Sequence, residues 1–291
     1  MSATGTRIRI GSVPEHFMTP WHQGIESGAF QKVGLHLEWK DFLGGTGAMC
    51  HALSKDEVDV CILLTEGIIS DICAGNPSRI ISNYIVSPII WGIHTGAENS
   101  LDSVEDIFEK RFAISRFGSG SHLIPQVDAL LHEKKLNNEQ FVLVQNLQGA
   151  IESLSKGESD VFYWEKYTTQ PYVDQGIFRR LGEFVTPWPC FVIAAREPFI
   201  KEHPEALRAM LKVVYAQNSQ LMVDSDSVRT IAKVQSLKEK NVERWMNSTV
   251  WTDHSQVNPK VISNVQYCLE QAGVLKNMLT YDEIVWKAIQ D

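Results

Sequence analysis

Short apolar runs alternate with amphipathic stretches through the first half of the chain. Arg7 to Gly11 reads as a strand, and Pro20 to Phe30 as a helix ending before Gly34. Leu35 to Phe42 alternates with Leu35, Leu37 and Trp39 on one face, the period of a half-buried strand. Gly44-Gly45-Thr46-Gly47 then opens a helix over Ala48 to Leu53, and Val58 to Leu64 follows as a buried strand. Glu66 to Ala74 reads as a helix closed by Gly75-Asn76-Pro77, and Arg79 to Val86 as a further strand. Repeated βα units predict a mostly parallel sheet with right-handed crossovers.

After Pro88, Ile89 to His94 reads as a strand leaving that sheet, and a second α/β series begins. Its strands are Arg111 to Ser115, Phe141 to Gln145 and Val161 to Trp164, with Phe178 to Val185 as an edge. Helices over Ser121 to Lys134 and Gly149 to Ser155 lie between them. Thr186-Pro187-Trp188-Pro189 breaks the pattern, and Cys190 to Ala195 is again a strand. From Pro198 onward helical spacing dominates: Glu205 to Asn218 behind Pro204, Val257 to Ala272 closed by Gly273, and Asp282 to Ile289. Such a tail needs a sheet to cover, and the simplest path returns it to the first. The expected organisation is therefore two lobes, 1–90 with 190–291 and 91–189, joined by two crossover strands near 89–94 and 189–195.

One phrase occurs twice. Leu53-Ser54-Lys55-Asp56-Glu57-Val58-Asp59-Val60 returns as Leu154-Ser155-Lys156-Gly157-Glu158-Ser159-Asp160-Val161. Each copy follows a Gly-Ala helix start, runs into an apolar strand and reaches a glutamate, Glu66 or Glu165. Two similar units suggest lobes facing one another across a ligand cleft. The shared Asp59 and Asp160 are expected to serve the turns, and Thr65-Glu66 against Trp164-Glu165 to select the ligand.

Composition narrows the function. At 291 residues, 44% hydrophobic and 21% charged, the chain suits a soluble globular protein, and a net charge of -8 gives no global attraction to nucleic acid or anionic lipid. No stretch approaches the roughly 20 apolar residues of a membrane helix. The N-terminal residues Met1 to Arg7 lack the apolar run of a signal peptide. Cys50, Cys61, Cys73, Cys190 and Cys268 form no CxxC site and read as reduced thiols. A cytoplasmic location is expected.

In open α/β sheets ligands sit beyond the carboxyl ends of the strands. Ser119-Gly120-Ser121 combines close backbone approach, hydroxyl donors and a helix start, although a simple N-cap needs the same residues. Gly45 and Thr46 offer a matching helix start in the first lobe. Trp21, Trp91, Trp164 and Trp188 could clamp a flat ligand, or serve as core. Glu66 and Glu165 could accept from an amine or aminopyrimidine edge, or remain solvated first-turn residues. Two carboxylates in a cleft would repel a plain sulfonate or nitrate. His16 and His122 could orient polar atoms of a ligand. His16, His22 and His51 with Glu15 have no recognised metal spacing, so no metal or cofactor is expected. Nor does the chain carry a nucleophile elbow, P-loop, HExxH or dinucleotide fingerprint, so no catalytic residue is assigned.

Four segments resemble a known family: Pro14-Glu15-His16, Gly44 to Gly47 with the phrase ending Glu57-Val58-Asp59-Val60, Phe117 to His122, and Arg196 to Pro204. Their order is similar to that of the type II periplasmic-binding-protein fold, in the branch that binds nitrate, sulfonates, taurine and thiamine-pyrimidine precursors. The resemblance spans residues 7–290. It implies a two-lobed α/β receptor, non-catalytic, closing by hinge bending on a small molecule. Exported members deliver ligand to an ABC permease, a partner that the missing export signal puts in question. Intracellular fungal members look more similar, but the cysteine-rich iron motif with which some make the thiamine pyrimidine is not found here. A thiamine-pyrimidine-like ligand is favoured over sulfonate or nitrate. The alternatives are an enzyme of pyrimidine or cofactor biosynthesis using His16, Glu66 or His122 as acid or base, and a sensor whose closure a protein partner reads.

Overall fold

The computed structural model describes residues 5–289. Its strands are β1 (Thr6–Ser12), β2 (Leu35–Asp41), β3 (Val60–Leu64), β4 (Ser78–Ile85), β5 (Ile90–Gly96), β6 (Phe112–Ile114), β7 (Phe141–Leu143), β8 (Val161–Glu165), β9 (Phe178–Val185) and β10 (Phe191–Arg196). They form two five-stranded sheets, ordered β2-β1-β3-β10-β4 and β7-β6-β8-β5-β9. β1 runs parallel to β2 and β3, as β6 does to β7 and β8. β10 lies antiparallel between β3 and β4, and β5 antiparallel between β8 and β9. Each sheet thus has one topology, and its antiparallel strand is the one arriving from the other sheet.

The two crossovers, 86–89 and 186–190, run side by side. The Cys190 amide donates to the Ser87 carbonyl (3.0 Å), and the Thr186 amide to that of Ile89 (3.3 Å). All five residues of β3 are buried, as a central strand covered on both faces requires. The helix Pro204–Val223 lies against Thr19–Glu26, and Pro259–Gln271 against Thr65–Cys73, so the helical tail covers the first sheet.

The twin phrase is a helix end, a turn and a central strand in each lobe. The turn takes a left-handed residue in both copies, Asp56 (φ 59°) and Gly157 (φ 65°). Asp59 and Asp160 do more than serve that turn. Asp59 accepts from Arg9 of β1 and from Arg196 at the end of β10, and Asp160 accepts from Arg111 at the entry to β6. Burial would raise both carboxyls, but the arginines more than offset it and hold them below the usual range. Each aspartate therefore stitches the head of its central strand to the neighbouring one.

Sequence periodicity left a gap over 219–256, where two amphipathic helices, Ser227–Gln235 and Glu239–Ser248, bury Ile231, Val242 and Trp245. The expected terminal helix over 282–289 is broken in two. Tyr281–Ile284 is helical, Val285 bridges to Ile80 of β4, and a 3-10 turn follows.

Candidate functional site

The loops after the parallel strands of both lobes meet at one inner cavity of about 40 Å³. The first lobe contributes Val13, Glu15, Gly45, Thr46 and Leu64. The second contributes Trp91, Ser115, Ser119, Gly120, Ser121, Trp164 and Glu165, while Ile89 comes from the outgoing crossover and Phe191 from the start of β10. An outer chamber of about 270 Å³ shares Val13, Glu15 and Trp164, and is otherwise walled by Pro14, Phe42, Leu43, Asn146, Leu147, Gln148 and Thr168. The inner cavity alone holds a few waters.

Two helix starts face each other here. The helix Thr46–Ser54 begins after Gly45, and Gly120–Leu131 after Ser119, neither with a side-chain cap. The Ser119 hydroxyl instead donates to the Arg116 carbonyl (2.7 Å), so the simple capping role is not the one it takes. Ser121 Oγ accepts from the Ser115 amide (2.9 Å) and lies 3.0 Å from Ser119 Oγ and 3.3 Å from Ser115 Oγ, forming a net of three hydroxyls. Thr46 Oγ1 accepts from the Leu64 amide (3.1 Å), fixing the first helix start to the end of β3. Uncapped amides and hydroxyls make both helix starts suited to an acceptor or anionic group of a ligand.

Carboxylates oppose them. Glu165 closes β8 and accepts from the Thr168 amide (2.6 Å), capping the helix Lys166–Asp174. Its carboxyl is pushed up to about 7 by burial, with the Thr168 amide opposing. Glu15, partly exposed to the cleft, is pushed up to about 8 by burial and then by Glu165, with Trp164 opposing. Behind them His16 is buried, its Nε2 without a hydrogen-bond partner and 3.7 Å from Glu165 Oε2, too far for a hydrogen bond. Burial holds it neutral, with its pKa lowered to about 3. Glu66 is buried too, pushed up to about 7 by desolvation, and accepts from the Trp188 indole N–H while its Oε1 has no partner.

Of the residues singled out from sequence, Gly45, Thr46, Trp91, Ser119, Gly120, Ser121, Trp164 and Glu165 share the inner cavity. His16, Glu66 and Trp188 are buried behind it. Trp21 and His122 stand elsewhere. Trp21 is fully buried among Phe30, Trp39 and Tyr84, because the first helix turns its apolar face to the core. His122 points back to accept from the Gly118 amide (3.1 Å) and lies against Phe117 and Phe141. The pairing of Glu66 with Glu165 also fails. The repeat offset set by Asp59 and Asp160 puts Glu165 opposite Leu64, and Glu66 opposite Tyr167. Glu15 and Ser115 were not assigned to the site, although both lie at or just past strand ends, where the strand-end rule points. Among the described residues no group of three or more His, Cys, Asp or Glu is arranged to hold a metal ion, and no helix is long and apolar enough to cross a membrane.

Known proteins share this architecture. A family model described as Ca3427-like PBP matches residues 91–184, the run from β5 almost to the end of β9. The structure of the Candida albicans CA3427 gene product, described as having the generic periplasmic-binding-protein fold, superposes with a TM-score of 0.90 at 23% identity, covering 97% of this chain and 96% of that one. The alkanesulfonate-binding protein SsuA of Xanthomonas axonopodis pv. citri, bound to MOPS, gives 0.80 at 15% identity over 98% and 99% of the chains. The periplasmic aliphatic sulphonate binding protein SsuA of Escherichia coli gives 0.72 at 15% identity, also over 98% and 99%. No curated protein matches by sequence. The chain has the two-lobed periplasmic-binding-protein fold, an architecture suited to holding a small molecule between its lobes.

Proposed function

We propose that this protein is a non-catalytic receptor whose lobes close on a small flat heterocycle carrying both hydrogen-bond donors and acceptors, of the thiamine-pyrimidine kind. The observation that carries the reading is the single cavity on which two uncapped helix starts, the Ser115–Ser119–Ser121 net, two tryptophans and the carboxylates Glu15 and Glu165 converge. Amides and hydroxyls suit ring nitrogens or carbonyls, carboxylates suit an exocyclic amine, and Trp91 and Trp164 suit the ring faces. The inner cavity is smaller than a ring with substituents, so binding requires the lobes to part about the crossovers and close again. Nitrate or a plain sulfonate fits less well beside two carboxylates, although one similar structure holds MOPS.

A thermal-shift screen of pyrimidines, thiamine precursors, sulfonates and carboxylates tests this directly. A ligand at about 100 times its Kd stabilises the fold by about 2.7 kcal/mol, a readable shift. Aminopyrimidines should give the largest shift, and silence from all four classes would sink the receptor reading. Chemical conversion of a bound compound during incubation would move the assignment to an enzyme, with Glu165 and His16 as its proton-handling pair. Five unpaired thiols, three of them buried, suit a reducing compartment, so we place the protein in the cytoplasm. Recovery in a membrane or extracellular fraction would contradict that.

A further inference from the structure

The cleft gathers three carboxyls, none of which is ion-paired with a lysine or arginine of the described residues. Glu15 and Glu165 line the cavity, and Glu66 is buried behind it. Burial pushes the Cys190 thiol, on the returning crossover, well up, and the charges of Glu66, Glu15 and Glu165 add to that. The nearby cations make no ion pair with these carboxyls, although the charge of Arg180 acts on Glu165 and Arg116 Nε is buried beside the cleft without a hydrogen-bond partner. Arg180 of β9 donates to Gln170 Oε1 and the Lys166 carbonyl (2.8 Å each), and Lys166 pairs with Glu183 (2.8 Å). Arg116 lies across Gly44 and Gly47 of the facing lobe. His16, the nearest ring, is neutral, and its Nε2 faces Glu165 without a hydrogen-bond partner. Oε1 of Glu66 is likewise buried and unpartnered. Buried carboxylates are ordinarily paired or protonated. In the empty cleft protonation serves, and a cationic ligand would supply the ion-pair partner that Glu15 and Glu165 lack.

Resting on the receptor reading above, we infer that the ligand is a cation, a protonated amine or amidinium seated between Glu15 and Glu165. Its arrival ionises carboxyls that the empty cleft keeps partly protonated, and the released protons pass to solvent. The raised carboxyls of Glu15 and Glu165 place that exchange near neutral pH. An anionic ligand would do the opposite and draw protons in.

Three ring compounds of matched shape separate the cases: benzamidine, a cation; benzamide, neutral; and benzenesulfonate, an anion. Calorimetry in buffers of different ionisation enthalpy counts the protons exchanged with each. Benzamidine should bind at least about tenfold more tightly than benzamide, as expected when a charged hydrogen-bond partner is added. It should release protons, and gain affinity from about pH 6 to about pH 8.5. The variants Glu15→Gln and Glu165→Gln should each lose that preference, with a larger fall in affinity for benzamidine than for benzamide, and flatten the pH slope. Glu165→Gln retains an acceptor for the Thr168 amide, which keeps the helix cap. Benzamide or benzenesulfonate binding as tightly as benzamidine, or benzamidine binding without proton release, overturns the inference and leaves the receptor reading standing. Silence from all three compounds overturns it as well, and the wider screen then decides the receptor reading separately.

Discussion

The indole N–H of Trp188 donates to Glu66 Oε2 across 2.9 Å, tying the returning crossover to the first turn of the helix Thr65–Cys73. The second crossover contact on the same turn is Thr65 Oγ1 donating to the Pro189 carbonyl (2.7 Å). Together they anchor one of the two strands of chain that join the lobes. Trp188→Phe leaves a buried carboxylate without its donor, a loss of about 1–3 kcal/mol. The loss should be larger at pH 8, where Glu66 is mainly ionised, than at pH 5, where it is protonated. Glu66→Gln keeps an acceptor for the indole and should be at least as stable as the wild type at pH 8. Urea unfolding at the two pH values checks both variants, and an equal loss for Trp188→Phe at both would contradict the assignment.

Stability should be greatest at about pH 5.5 and fall on either side. Glu15, Glu66 and Glu165 have folded pKa values of about 8, 7 and 7, above the ordinary carboxylate value. The folded state therefore holds protons that the unfolded chain has released, and stability is lost as pH rises through those values. His16, His94 and His122 are lowered by burial to about 3, 3 and 4. For them the unfolded chain binds protons first, and stability is lost as pH falls below their ordinary value of about 6.5. Melting temperature followed from about pH 4 to about pH 8.5 should show both limbs. The double variant Glu15→Gln, Glu165→Gln should flatten the alkaline limb and leave the acid limb intact.

The twin turn offers a test of backbone strain. Gly157 adopts φ 65° at no steric cost, whereas Asp56 holds φ 59° as a non-glycine residue. Gly157→Ala should cost about 1 kcal/mol. Asp56→Gly should gain less than that figure implies, because it also gives up the ion pairs with Arg9 and Arg196. Asp56→Asn, which tolerates the left-handed region and lacks the charge, separates the two effects when unfolding is measured at low and high salt.

What the sequence made legible follows from how local each signal is. The two lobes were readable because β3 and β8 are continuous apolar runs preceded by the same phrase, and central buried strands carry that pattern. Gly45 and Ser119 to Ser121 were readable because small residues at a strand-to-helix turn mark close backbone approach. Trp21 stays open between cleft and core in the sequence because an aromatic near a loop looks the same whether it turns to a cleft or to Phe30 and Tyr84, and the structure gives the second. Glu15 was passed over as a site residue because its charge environment is set by Glu165 and Trp164, about 150 positions away in the chain. Within the helical tail expected from Pro198 onward, the separate helices over 227–248 were not delimited, because no proline or glycine marks their ends.

The last prediction concerns Gly120, the first residue of the helix that meets the cavity from the second lobe. A Cβ there would fall 2.4 Å from Trp91 Cη2 and 2.5 Å from Leu64 Cδ1. Trp91 belongs to β5 in the second lobe and Leu64 to β3 in the first, so the methyl would be a wedge set between lobes. Parting of the lobes relieves only the Leu64 contact; the Trp91 contact lies within the second lobe, where the buried indole has to shift, and that cost outweighs the roughly 1 kcal/mol by which a helix favours alanine over glycine. Gly120→Ala should therefore be less stable than the wild type by about 1–3 kcal/mol, show a larger radius of gyration by small-angle scattering, and lose the thermal shift given by the best ligand of the screen. Retention of the full shift with an unchanged radius would mean that the lobes do not need to meet at Gly120 for the ligand to be held.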